Sequence, residues 1–174
     1  FEIMENASLK DETLLQAMHE HQPEIVIVRS TKITKEHILS CSPLSLIIRA
    51  GAGYNNIDIS TASERGIFVC NCPGRNAIAV AELVFGHLIN LDRRIVDNAS
   101  DFRAGLWAKK KYSKSKGLHG KTLTLFGLGS IGTEVMKRAK AFGMNITVWS
   151  VPFSREEAEE LKVTYADSPQ EAVQ

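Results

Sequence analysis

Net charge, uninterrupted apolar runs and cysteine are all scarce in this sequence. Lysine plus arginine number 21 and aspartate plus glutamate 20, leaving a formal net charge of +1. Proteins that grip nucleic acid or a membrane surface through a strong field carry a clustered excess of one sign. That class is set aside, and small molecules are the expected partners. No apolar run approaches bilayer-spanning length. The opening Phe1-Glu2-Ile3-Met4-Glu5-Asn6 has neither a basic leader nor a small-residue cleavage site, so a cytoplasmic location is expected. Cys41, Cys70 and Cys72 are an odd number and argue against a disulfide framework. Cys70 and Cys72 form C-x-C without a second Cys or His pair, so plain thiols are favoured over metal ligands and no metal site is expected. The chain also lacks an opening Met and closes at Glu171-Ala172-Val173-Gln174, in what reads as the first turn of a helix. A fragment is expected.

What is present is ordinary globular material, 44% hydrophobic and 24% charged, patterned as alternating helices and strands. Residues 11–20 read as a helix. Ile25-Val26-Ile27-Val28 is a β-branched run expected to be a strand buried on both faces of a parallel sheet. Residues 45–49 and 67–70 are further strands, separated by a helix over 57–65 that Gly66 closes. The stretch 76–94 is apolar around nearly its whole circumference, so it is expected to be a buried helix, between domains or at a subunit contact. The basic run 109–116 reads as a solvated loop or arm rather than a nucleic-acid patch. The alternation then resumes with a strand at 122–126, a helix over 130–142, a strand at 146–149, a helix from the capping box Ser154-Arg155-Glu156-Glu157 to about 161, and a strand at 163–165. Ser168-Pro169-Gln170-Glu171 announces one more helix.

Gly127-Leu128-Gly129-Ser130-Ile131-Gly132 is G-x-G-x-x-G, a weak signal alone and an informative one between a strand and a helix. Gly127 permits the tight turn, Gly129 lets backbone approach a diphosphate, and Gly132 lets the helix pack close to the strand. The helix N-terminus offers unpaired N–H groups to the phosphates. The pattern therefore predicts dinucleotide binding through Gly127, Gly129, Ser130, Ile131 and Gly132. The acid that usually accepts from the ribose hydroxyls of NAD about twenty residues on is here Ser150. Ser150 does not repel a 2′-phosphate, and Arg155 follows, so NAD and NADP both stay open.

The string 49–58, Arg-Ala-Gly-Ala-Gly-Tyr-Asn-Asn-Ile-Asp, is followed by Glu64-Arg65-Gly66-Ile67, Asn71-Cys72-Pro73-Gly74-Arg75-Asn76 and Ala79-Val80-Ala81-Glu82-Leu83. Gly105-Leu106-Trp107, Gly120-Lys121-Thr122 and Ala141-Phe142-Gly143-Met144 continue the series in order. Together they resemble the D-2-hydroxyacid dehydrogenases, most of all the D-3-phosphoglycerate dehydrogenase type, over nearly the whole chain.

The resemblance implies a flavodoxin-like substrate-domain part over 1–74 and a partial Rossmann NAD(P)-binding domain over 75–174, both with parallel sheets. It implies that the turn Gly51-Ala52-Gly53 lies across a cleft from the nicotinamide and binds a substrate carboxylate through backbone amides, with Ala52 adjoining both ligands. Arg29, at the start of Arg29-Ser30-Thr31-Lys32, resembles the residue that meets the substrate phosphate, the alternative being a pair with a surface carboxylate. The family's catalytic Arg, Glu and His lie in segments later than Gln174, and His19, His21, His37, His87 and His119 match none of them. The implied activity is hydride exchange between NAD(P) and a small D-2-hydroxy acid such as phosphoglycerate, hydroxypyruvate or glyoxylate, with this chain alone lacking turnover. The implied assembly is a homodimer through the cofactor domain. A non-catalytic, cofactor-sensing dimeric scaffold of the corepressor type is the alternative.

Overall fold

The computed structural model describes residues 2–173, and the chain divides into two units, Phe1–Asn76 and Ala77–Gln174. In the first unit, helix α1 (Asp11–His21) precedes strand β1 (Ile25–Val28), α2 (Lys35–Leu39), β2 (Leu46–Arg49), α3 (Ile59–Glu64) and β3 (Phe68–Cys70). The strands form a parallel sheet in the order β1-β2-β3, with Ile25, Leu46 and Phe68 in register. Crossovers of one hand along a strand order that runs one way put their helices on the same face. Val26, Val28 and Val69 accordingly pack with Met18, Ile33, Ile38, Cys41, Ile47 and Ala62.

The opposite face corrects the expectation for β1. Ile25, Ile27, Phe68 and Cys70 lie in register across it and are exposed, Ile27 by 67% and Phe68 by 74%. The apolar run had suggested cover on both faces, whereas the connecting helices cover only one.

Helix α2, which apolar periodicity does not reveal, starts at Thr34 through an unusual acceptor. The Thr34 N–H donates to His37 Nδ1 at 3.1 Å, and the Thr34 hydroxyl lies 2.8 Å from the same atom. An Nδ1 that accepts leaves the ring proton on Nε2, which donates to the Asp11 carbonyl at 3.0 Å. This buried imidazole thereby ties α1 to α2.

The second unit comprises α4 (Ala77–Arg93), α5 (Ile95–Arg103), α6 (Lys109–Tyr112), β4 (Thr122–Phe126), α7 (Ser130–Ala141), β5 (Asn145–Trp149), α8 (Arg155–Glu160), β6 (Thr164–Tyr165) and a 3-10 turn (Glu171–Val173). Its parallel sheet runs β4-β5-β6, which read backwards is the 3-2-1 half of a doubly wound nucleotide-binding sheet. The core gathers Ala81 and Phe85 from α4, Val135, Met136 and Ala139 from α7, and Ile146 and Val148 from β5. Phe85 and Phe142 stack with ring centroids 5.0 Å apart. Ser154 caps α8 as its motif predicts, accepting from Glu157 N–H at 3.2 Å while Glu157 accepts from Ser154 N–H at 2.8 Å.

Helix α4 buries Ala77, Ala81 and Phe85, and in the single chain its other side leaves Ile78, Leu83 and Leu91 exposed. Two expectations change in this unit. The basic run contains a helical turn, α6, held because Asp101 accepts from the Tyr112 hydroxyl at 2.5 Å and from Lys111 Nζ at 2.9 Å. The final helix start is a 3-10 turn, for which Ser168 Oγ still accepts from Glu171 N–H at 3.1 Å. No helix is long and apolar enough to cross a membrane among the described residues.

Candidate functional site

In the second unit the glycine turn joins β4 to α7. Gly127 takes φ +96°, a left-handed backbone that glycine adopts without a steric penalty, while its N–H donates to the Trp149 carbonyl at 2.7 Å and extends the pairing of β4 with β5. Gly129 is the N-cap of α7 and contributes no side-chain cap. The N–H groups of Ser130, Ile131 and Gly132 find no acceptor among the described residues, and Ser130 and Ile131 are exposed. The first turn of a helix leaves such donors for an outside partner. A Cβ on Gly129 would meet nothing within 4 Å, so the space over the turn is open, whereas a Cβ on Gly132 would lie 2.5 Å from the Gly127 carbonyl oxygen. Gly132 is thus needed for close packing, while Gly129 leaves the space over the turn open. The residues present fit a diphosphate.

Ser150 follows β5 at the same carboxyl edge, half-buried, and its carbonyl accepts from Phe153 N–H at 3.1 Å. Arg155 opens α8. Its guanidinium is engaged by the Asp167 carboxylate and lies over the Tyr165 ring, 4.9 Å from the centroid. The segment after β6 thus brings an acid to Arg155, a partner that the spacing of Ser150 and Arg155 does not reveal.

In the first unit, the carboxyl edge of the sheet carries Arg29 after β1 and the turn Gly51-Ala52-Gly53 after β2. Arg29 is exposed and makes no ion pair among the described residues. The Gly51 N–H is already used by the Arg49 carbonyl at 2.7 Å, so the amides left without an acceptor in this turn are those of Ala52 and Gly53. Two bonds fix the turn from the far side. Cys72 N–H donates to the Gly51 carbonyl at 2.9 Å, and Asn71 Nδ2 donates to the Ala52 carbonyl at 2.6 Å.

Arg49 is the residue that motif reading passed over. Its Nε is buried without a hydrogen-bond partner, and its guanidinium occupies the space a side chain at position 51 would take, Nη1 being 1.6 Å from where a Cβ would sit. A cation ending a strand two residues before Gly51-Ala52-Gly53 is the available sequence signal. No His–carboxylate ion pair or hydrogen bond accompanies these groups among the described residues. His37 is committed to the α1–α2 tie, and His19, His21, His87 and His119 are exposed. Cys70 and Cys72 are exposed free thiols and Cys41 a buried one.

These features define an α/β protein whose second unit is half of a Rossmann-type domain with an open glycine turn between β4 and α7. The chain belongs to the D-isomer specific 2-hydroxyacid dehydrogenases, whose catalytic-domain family model matches residues 1–164. It is 41% identical over 160 residues to D-3-phosphoglycerate dehydrogenase of Methanocaldococcus jannaschii, an alignment covering 91% of this chain and 30% of that protein. It is 46% identical over 127 residues to hydroxypyruvate reductase of Thermotoga maritima, covering 72% and 41% respectively. The NAD+-bound crystal structure of 3-phosphoglycerate dehydrogenase from Entamoeba histolytica superposes with a TM-score of 0.73 at 32% identity, over 94% of this chain and 47% of that one. The chain thus spans about a third to a half of the length of these relatives.

Proposed function

We propose that this chain is the nucleotide-holding and part of the substrate-holding portion of an NAD(P)-dependent oxidoreductase that acts on the CH–OH group of a small D-2-hydroxy acid. Phosphoglycerate, hydroxypyruvate and glyoxylate are the candidate substrates, named from the relatives. The observation that carries the reading is the open set of amides at Ser130, Ile131 and Gly132, set by Gly127 and Gly132 at the carboxyl edge of a parallel sheet.

When bound, the nicotinamide supplies the hydride acceptor or donor. The chain's own residues bind and orient. The amides at 130–132 and the partial positive charge of α7 receive the diphosphate. The amides of Ala52 and Gly53, with the Arg49 guanidinium against the preceding Gly51, suit a carboxylate, because oriented N–H groups and a cation neutralise an anion without exchanging its proton. Arg29 at the same edge suits a substrate phosphate. Proton exchange with the substrate oxygen needs an acid–base group that the five histidines do not provide, so this chain by itself holds nucleotide without turnover.

The exposed apolar side of α4, with Phe102, Leu106 and Trp107 beyond it, is assigned to a homodimer contact. Fluorescence titration with NADH tests the main reading. Saturable binding that diphosphate-containing ADP-ribose displaces is expected, and absence of saturable binding by the folded chain would refute it. Hydride transfer by the 174-residue chain with 3-phosphoglycerate or glyoxylate would refute the assignment of the missing acid–base group.

A further inference from the structure

Ser150, Arg155, Tyr165 and Asp167 come from three successive elements and share the carboxyl edge of the second sheet. Ser150 follows β5 at the position where this type of turn is usually completed by an acid for the ribose. An acid is nevertheless nearby, delivered from the next strand. Asp167 follows β6, and its carboxylate engages the Arg155 guanidinium, which is backed by the Tyr165 ring. Asp167 is also held in place, since its N–H donates to Glu171 Oε2 at 2.7 Å.

We propose that Asp167 is a specificity-determining residue that sets the balance between NADH and NADPH by competing with the 2′-phosphate for Arg155. The inference rests on the nucleotide-binding reading above. One guanidinium cannot be fully paired with both anions, so a 2′-phosphate must either displace Asp167 or sit beside a like charge. Ser150 presents no fixed negative charge, so NADPH is admitted. A 2′-hydroxyl carries no charge and does not need Arg155, so NADH is indifferent to the pair. The side chains of Arg155 and Asp167 are 64% and 58% exposed. Exposed pairs of this kind are weak, so Asp167 tunes the choice over a few-fold range instead of forbidding one nucleotide.

The test is fluorescence titration of NADH and NADPH into the wild-type chain, Asp167→Asn, Asp167→Ala and Arg155→Gln, with far-UV circular dichroism confirming that each is folded. Removing the acid is expected to tighten NADPH by roughly two- to fivefold while NADH is unchanged, a gain that shrinks as salt rises. Removing the guanidinium is expected to weaken NADPH about tenfold, the scale of a charge-assisted contact, again sparing NADH. An NADPH-to-NADH ratio that stays at the wild-type value in all three variants, with binding intact, overturns the inference. Failure of the wild-type chain to bind either nucleotide overturns the nucleotide-binding reading itself, and this inference with it.

Discussion

Replacing Gly132 and Gly129 by alanine separates packing from access within one motif. A Cβ at Gly132 would stand 2.5 Å from the Gly127 carbonyl oxygen. That oxygen belongs to a backbone whose N–H is bonded to Trp149 at 2.7 Å, so it cannot retreat without loosening the β4–β5 pairing. Reaching ordinary contact requires a backbone shift of most of an ångström, an overpacking that costs about 1–3 kcal/mol. For a unit of about a hundred residues each kcal/mol moves the melting temperature by roughly 4–8 °C. Gly132→Ala should therefore lower it by roughly 5–20 °C. Gly129→Ala should leave stability nearly unchanged, because its Cβ meets nothing within 4 Å and its φ of −78° is ordinary, yet it should weaken NADH by about tenfold or more by standing where the diphosphate must approach. Both tryptophans, Trp107 and Trp149, lie in the second unit, so fluorescence excited selectively at tryptophan follows the melting of that unit alone. The reasoning is refuted if Gly132→Ala melts with the wild type, or if Gly129→Ala binds NADH as tightly as the wild type.

Asp92 is one of the carboxylates through which acid should act. Burial alone would raise its carboxyl, but the N–H groups of Gly117 and Lys116 and the Lys121 ammonium outweigh it and hold the carboxyl below its ordinary value. A depressed pKa contributes stability above the unfolded value of about 3.9 and loses it as pH falls through the folded value; Asp92→Asn should flatten the acid limb of a stability–pH curve below about pH 4, and an unchanged limb would contradict the assignment. His37→Phe leaves the Thr34 N–H and the Asp11 carbonyl without their partner and should destabilise the first unit by about 1–3 kcal/mol in urea unfolding, so wild-type stability would remove His37 from the α1–α2 tie. Leu83→Asp together with Leu91→Asp should make the chain monomeric in sedimentation velocity while it melts as the wild type does, and a dimer that persists would move the contact away from α4.

Much of the fold can be read from the residues because local and long-range signals agree there. Ile25–Val28 and Thr122–Phe126 are strands at the expected bounds, since β-branched or apolar runs flanked by turn residues have few competing conformations. The Ser154 capping box forms as expected because its partners are three residues apart. What escapes sequence reading depends on distant partners. Helix α2 is nucleated by an imidazole standing in for a glutamate, and α5 begins after Arg94 takes φ 54° with no glycine to mark the break. The bare face at Ile27 and Phe68 follows from strand order, which no single strand encodes. In the candidate site the glycine positions are visible because their chemistry is local. The occupation of the Gly51 N–H and the meeting of Arg155 with Asp167 are not, because they depend on how the turn closes and where β6 ends.

The most direct test is to follow the backbone amide resonances of the isotopically labelled chain as NADH is added. The largest saturable shifts should fall on Gly129, Ser130, Ile131 and Gly132, where donors in an open turn await a diphosphate. Shifts confined to other parts of the chain, with these four resonances unmoved at saturation, would contradict the account.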